Sequence, residues 1–113
     1  MSDETLQVDV VEQAGAVLLA PQGELGYNEA PTLRQYLKQA HDKKPTRIVV
    51  DLSNVSYMNT PGVATLVESL QISKRNRTRL ILCGMNDKVR AIFEIARLNT
   101  VFEIMADRDS AMA

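Results

Sequence analysis

Thr60 is the side chain whose type and setting offer the clearest chemistry in this 113-residue chain. It follows Asn59 and precedes Pro61, and a cap-type residue with a proline beside it is how helices commonly begin. Val63, Leu66, Val67 and Leu70 then recur at helical spacing and give that helix a core-facing stripe. A helix start carries unpaired N–H groups and a partial positive charge. A phosphate on Thr60 would sit in that field and change the local charge by about −1.5 to −2. The same hydroxyl can also be read as an N-cap, worth about 1 kcal/mol of helix stability. The two roles are compatible.

Other chemistries have less material. The single histidine, His41, falls at the polar end of the first expected helix and reads as a solvated surface residue. Cys83 lies inside an apolar run and reads as a small core residue. One His and one Cys give no paired metal-ligand spacing. Gly84-Met85-Asn86-Asp87 lacks the glycine spacing of a phosphate-binding loop. No Ser-His-Asp set forms around one remote histidine. Lys74, Arg75, Arg77 and Arg79 read as a solvated helix end. Small-ligand sensing is disfavoured because the sequence shows no preorganised polar pocket. The expectation is therefore no catalytic group, no metal and no cofactor, but a binding face around Thr60. Tyr57 and Met58 would add apolar anchors to it if exposed, although core packing is the default for Met58. Small residues at Val63 and Ala64 would let a partner approach closely. A phosphate on such a face would break an apolar contact through charge and desolvation.

The elements that must position this face are legible in outline. Ile48-Val49-Val50 reads as a strand buried on both faces, closed by Asp51. The segment Leu52 to Met58 then crosses the sheet edge and delivers Asn59 and Thr60. Upstream, Leu6, Val8 and Val10 suggest a half-buried strand, Gln13-Ala14-Gly15 a turn, and Ala16 to Pro21 a second strand in a hairpin with the first. Pro21 places that strand's end at an edge or bulge. Residues Gly23 to Asn28 read as a loop, with Asn28 capping a helix striped by Ala30, Leu33, Leu37 and Ala40. Downstream come a strand at Leu80 to Cys83, a helix from Asn86 or Asp87 with Val89, Ile92, Phe93 and Ala96 on one face, and a strand at Val101 to Ile104. The order is β-β-α-β-α-β-α-β. This is an α/β fold, a mixed β-sheet mainly parallel after an N-terminal hairpin and packed with α-helices. Residues 1 to 4 are expected to fray, and residues 107 to 113 to form a helical turn or stay loose.

The length suits one domain, residues 1–113. A formal charge of −1 gives no basic field for nucleic acid. No apolar run reaches the roughly 20 residues that span a bilayer. A polar N-terminus without signal character and a lone cysteine lead to an expected cytoplasmic location.

These residues resemble the STAS domain family, and within it the single-domain anti-sigma factor antagonists. The resemblance is carried by Gly23-Glu24-Leu25, Ile48 to Val55, Tyr57 to Val63, Val89 to Glu94, Leu98 and Val101 to Ile104. It spans nearly the whole chain and implies a STAS-like fold without catalysis. It also implies partner switching. The unphosphorylated antagonist binds an anti-sigma factor that is a serine kinase. That kinase phosphorylates a Ser or Thr at the start of the second helix, and a phosphatase restores binding. The implied phosphoacceptor is Thr60, and the implied partner surface is Glu24, Gly26, Tyr27, Asn28, Met58, Asn59, Thr60, Pro61, Gly62 and Val63. Asn59 and Gly26 stand where the family pattern usually has Asp. The alternative that the resemblance allows is an accessory subunit of a lipid-transport ATPase, in which the same Thr contacts the ATPase subunit.

Overall fold

The computed structural model describes residues 6–113; the expected fraying of residues 1 to 4 lies outside them. The order of elements is β1 (Gln7–Gln13), β2 (Ala16–Leu25), α1 (Ala30–Asp42), β3 (Arg47–Asp51), β4 (Val55–Met58), α2 (Thr60–Asn76), β5 (Arg79–Cys83), α3 (Asp87–Ile95), β6 (Glu103–Met105) and α4 (Arg108–Met112). A short 3-10 turn, Leu98–Thr100, precedes β6.

One sheet runs in the order β1-β2-β3-β5-β6, and β4 pairs with β2 beyond the end of β3. Among the described residues, only β1 against β2 is antiparallel; the other pairings are parallel. The expected mixed sheet with an opening hairpin is therefore what forms. Alternate residues of the central strands face opposite sides. Val17, Leu19, Ile48, Val50, Leu80 and Leu82 join the main core with Leu33 and Leu37 of α1, Leu66 and Leu70 of α2, and Val89 and Phe93 of α3. Phe93 meets Phe102 edge to face at 5.6 Å. The opposite face carries Leu18, Ala20, Val49, Ile81 and Cys83, which pack with Ala111 of α4. Arg108 of α4 bonds the buried Asp51 carboxylate at 2.9 Å, and Arg47 bonds the Ala111 carbonyl at 2.8 Å. The C-terminal residues thus take the helical alternative.

Four expectations about elements change. First, β2 does not stop at Pro21 but runs to Leu25. It pairs with β3 as far as Leu19 and with β4 from Gly23 onward. Pro21, which lacks an N–H, falls in the gap between these two partners. Gly23 takes φ +98, at the register shift that re-aims the strand. Glu24 is therefore a strand residue paired with Tyr57, not part of a loop. Second, part of the expected crossing segment is the strand β4. Third, the residue before α1 is Glu29 rather than Asn28, and it makes no side-chain cap bond. Fourth, the final strand begins at Glu103, two residues late, because residues 98–100 form the 3-10 turn. Two side chains also differ from expectation. Val10 is 43% exposed on the edge strand β1, and Ala96 is exposed just past the end of α3.

Candidate functional site

The start of α2 is held by the end of β2. Leu25 is in register with Met58, and the Asn59 N–H donates to the Leu25 carbonyl at 3.0 Å. That bond ends the β2–β4 ladder and sets Asn59 in extended conformation (φ −96, ψ 173) as the N-cap of α2. The Asn59 carbonyl accepts the first helical bond, from the Val63 N–H, at 3.1 Å. Thr60 is the first helical residue and is exposed. It is thus not the cap, which corrects that reading of its hydroxyl. The Asn59 side chain makes no cap bond either, and the first turn contains no acidic residue. Among the described residues, the positive end of α2 therefore receives no side-chain cap bond.

Gly62 explains how the helix can start so close to the strand. A Cβ at position 62 would lie 2.3 Å from the Leu25 carbonyl oxygen and 3.1 Å from Leu25 Cβ. Only glycine allows this approach without moving backbone. Gly26 follows a similar logic more loosely: a Cβ there would stand 3.1 Å from Asn59 Nδ2 and 3.3 Å from Glu29 Oε1. Instead of capping α1, the Glu29 carboxylate accepts from the Gly26 N–H at 2.9 Å and ties down the loop beside Asn59.

The expected surface residues divide into two groups. Glu24, Tyr27, Asn28, Asn59 and Thr60 are exposed, and Pro61 and Val63 are half-buried. Tyr27 is 78% exposed and Tyr57 43%, which leaves two aromatic rings at this end of the sheet. Met58, expected on the contact face, is 1% exposed and belongs to the core. The β4 alternation turns it inward while Tyr57 faces out. Gly26 and Gly62 are also buried, so they shape the tip without presenting a surface. Glu29 is a part of the site that the sequence does not signal, because it acts through a short local bond. Leu25 lies within the expected contact loop, Glu24 to Asn28, but it is buried and acts through its backbone carbonyl rather than as a contact surface.

Elsewhere, His41 is the clearest correction. It is 5% exposed, and its Nε2 lies 2.8 Å from Ser69 Oγ of α2. Burial lowers its pKa, opposed by the Asp42 charge and by Ser69. Cys83 is buried, and its thiol is pushed up to about 12, first by burial and then by the Asp51 charge. It stays protonated at neutral pH and is a poor nucleophile. Among the described residues, no group of three or more His, Cys, Asp and Glu could hold a metal ion. No helix there is long and apolar enough to cross a membrane.

The chain belongs to the STAS domain family, whose model matches residues 7–111. An anti-sigma-B factor antagonist from Listeria monocytogenes is 29% identical over 82 residues, covering 73% of this chain and 72% of that protein. The crystal structure of an anti-sigma factor antagonist from Mycobacterium paratuberculosis superposes with a TM-score of 0.88 at 19% identity, over 98% of this chain and 94% of that one. The phosphorylated form of the Bacillus cell fate determinant SpoIIAA gives 0.71 at 20% identity, over 94% of each chain. At these identities the structural matches establish the fold.

Proposed function

We propose that this protein is an anti-sigma factor antagonist that works by partner switching. The observation that carries the reading is the exposed Thr60 at an uncapped helix start, seated on Leu25 through Gly62. The relatives named as antagonists support it, as does a fold neighbour, SpoIIAA, whose structure is known both with and without phosphate.

In this reading the unphosphorylated tip docks on an anti-sigma factor that is also a serine kinase, releasing the sigma factor. Tyr27 and Tyr57 supply apolar anchors, and Glu24, Asn28 and Asn59 supply polar contacts around Thr60. The kinase transfers the γ-phosphoryl group of its ATP to Thr60 Oγ1, the hydroxyl proton leaves, and ADP is the second product. The phosphate gains from the positive helix end within this protein. At the interface it adds a charge of about −1.5 to −2 that must be desolvated against the partner, so the complex dissociates. A phosphatase hydrolyses the ester and returns the binding form. Thr60 is in place for this although Asn59 and Gly26 are neutral, because the helix end itself supplies the field.

Incubation with the anti-sigma kinase of its own cell and ATP, followed by phosphopeptide mapping, tests the reading. One phosphate on Thr60, absent from Thr60→Ala, is the expected result. A phosphate on another residue would overturn the assignment. Co-purification with a transport ATPase and never with a kinase would replace it with the accessory-subunit reading.

A further inference from the structure

The helices α1 and α2 do not meet through apolar side chains alone. The inward face of α2 includes Thr65, Ser69 and Ser73, each 2% exposed or less. Thr65 and Ser73 turn their hydroxyls back to carbonyls of their own helix, those of Pro61 and Leu70. Ser69 instead meets His41 of α1. That bond occupies only one ring nitrogen. Nδ1 of His41 is buried and has no hydrogen-bond partner among the described residues. A buried polar atom left unpaired is unusual and calls for a partner. The imidazole adjoins a cavity of about 610 Å³ between the two helices. Leu37 and Ile72 give that cavity apolar wall, and Ser69 and His41 give it polar floor.

The rim is unevenly charged. Arg34 and Glu68, which both line the cavity, are already paired with each other at 2.7 Å. Lys38, Lys44 and Arg75 line it without a salt bridge among the described residues, against the single carboxylate of Asp42. A volume of this size with apolar walls and a few convergent polar groups has the character of a small-molecule site. We propose that the α1–α2 cavity binds a small amphiphilic anion, with its carboxylate or phosphate head toward Lys38 and Arg75 and its apolar body against Leu37 and Ile72. In the tautomer where Ser69 donates to Nε2, His41 carries a proton on the unpaired Nδ1, a donor held at the edge of the cavity. Thr60 does not line this cavity, so the proposal stands apart from the switch at the helix tip.

The single histidine makes the test direct, because its ring nitrogens are the only imidazole signals in the full chain. The 15N-labelled protein is titrated at pH 7 with hexanoate, with 1-hexanol and with inorganic phosphate. Saturable shifts with hexanoate at the His41 ring and at the amides of Leu37 and Ser69, larger than with either other probe, are expected. The double variant Lys38→Glu, Arg75→Glu should weaken hexanoate binding by about tenfold or more. Both positions are exposed, so this variant is expected to keep the dispersed spectrum of the fold. Equal shifts with hexanol would overturn the anionic head. Equal shifts with phosphate would mean an adventitious ion only, and no shift at His41 with any probe would overturn the site. Each of these failures would leave the reading of Thr60 intact.

Discussion

Gly62 and His41 show how much rests on single residues outside the obvious chemistry. At Gly62 the shortfall is with a backbone oxygen, which cannot swing away as a flexible side chain could. Gly62→Ala should cost about 1–3 kcal/mol in urea denaturation. It should also weaken partner binding, since relief of the clash moves the helix start away from Leu25. His41 makes a pH prediction. Its folded pKa lies below its ordinary value of 6.5, chiefly because burial disfavours the charged ring. The unfolded chain therefore takes up the proton first, and protonation pulls the equilibrium toward unfolding. The stability this group contributes is complete above pH 6.5, declines as pH falls below it, and is exhausted once pH has passed the folded pKa. Urea midpoints between pH 7.5 and 5 should fall for the native protein and fall less for His41→Gln. Glu103, whose pKa is lowered first by its bond to Arg79, adds its own loss only at more acid pH. A slope unchanged by His41→Gln would contradict the buried neutral imidazole.

The elements differ in how much of them the sequence states. Long stripes were readable: Leu33 and Leu37 in α1, Leu66 and Leu70 in α2, Val89 and Phe93 in α3 all face the core as their spacing requires. Asn86 was readable as a helix start and accepts from the Val89 N–H at 2.8 Å. The start of α2 was readable too, because Asn, Thr and Pro stand together there. What escaped was set by tertiary partners. The strand β4 has four residues with only Val55 and Met58 buried, too short for a period to show. Its existence depends on β2 continuing past Pro21, which local grammar argues against. His41 stands four residues after Leu37 and so continues the buried stripe, but its polarity hides it until Ser69 is seen opposite. At the other end of α2, Arg77 takes the left-handed conformation (φ 59) that closes the helix with the Thr78 N–H on the Ser73 carbonyl at 2.8 Å. Glycine suits that position better. Arg77→Gly is expected to stabilise the protein by up to about 1 kcal/mol, read as a higher urea midpoint. A lower midpoint would mean that the Arg77 side chain contributes more than its backbone strain costs.

Across the whole molecule, the two faces of the sheet divide the labour. The main core, under α1, α2 and α3, fixes the helix tip against the β2 and β4 ends. The smaller cluster on the far face is covered by α4, which Asp51–Arg108 and the Arg47 bonds hold in place. Because the tip is built by backbone seating, a charge placed on Thr60 should leave the fold alone and act on association. The most direct measurement is titration calorimetry of the anti-sigma kinase of the same cell with the native protein, Thr60→Ala and Thr60→Glu. The account predicts that Thr60→Ala binds about as tightly as the native protein and that Thr60→Glu shows no measurable heat of binding. Equal affinity for Thr60→Ala and Thr60→Glu would contradict it.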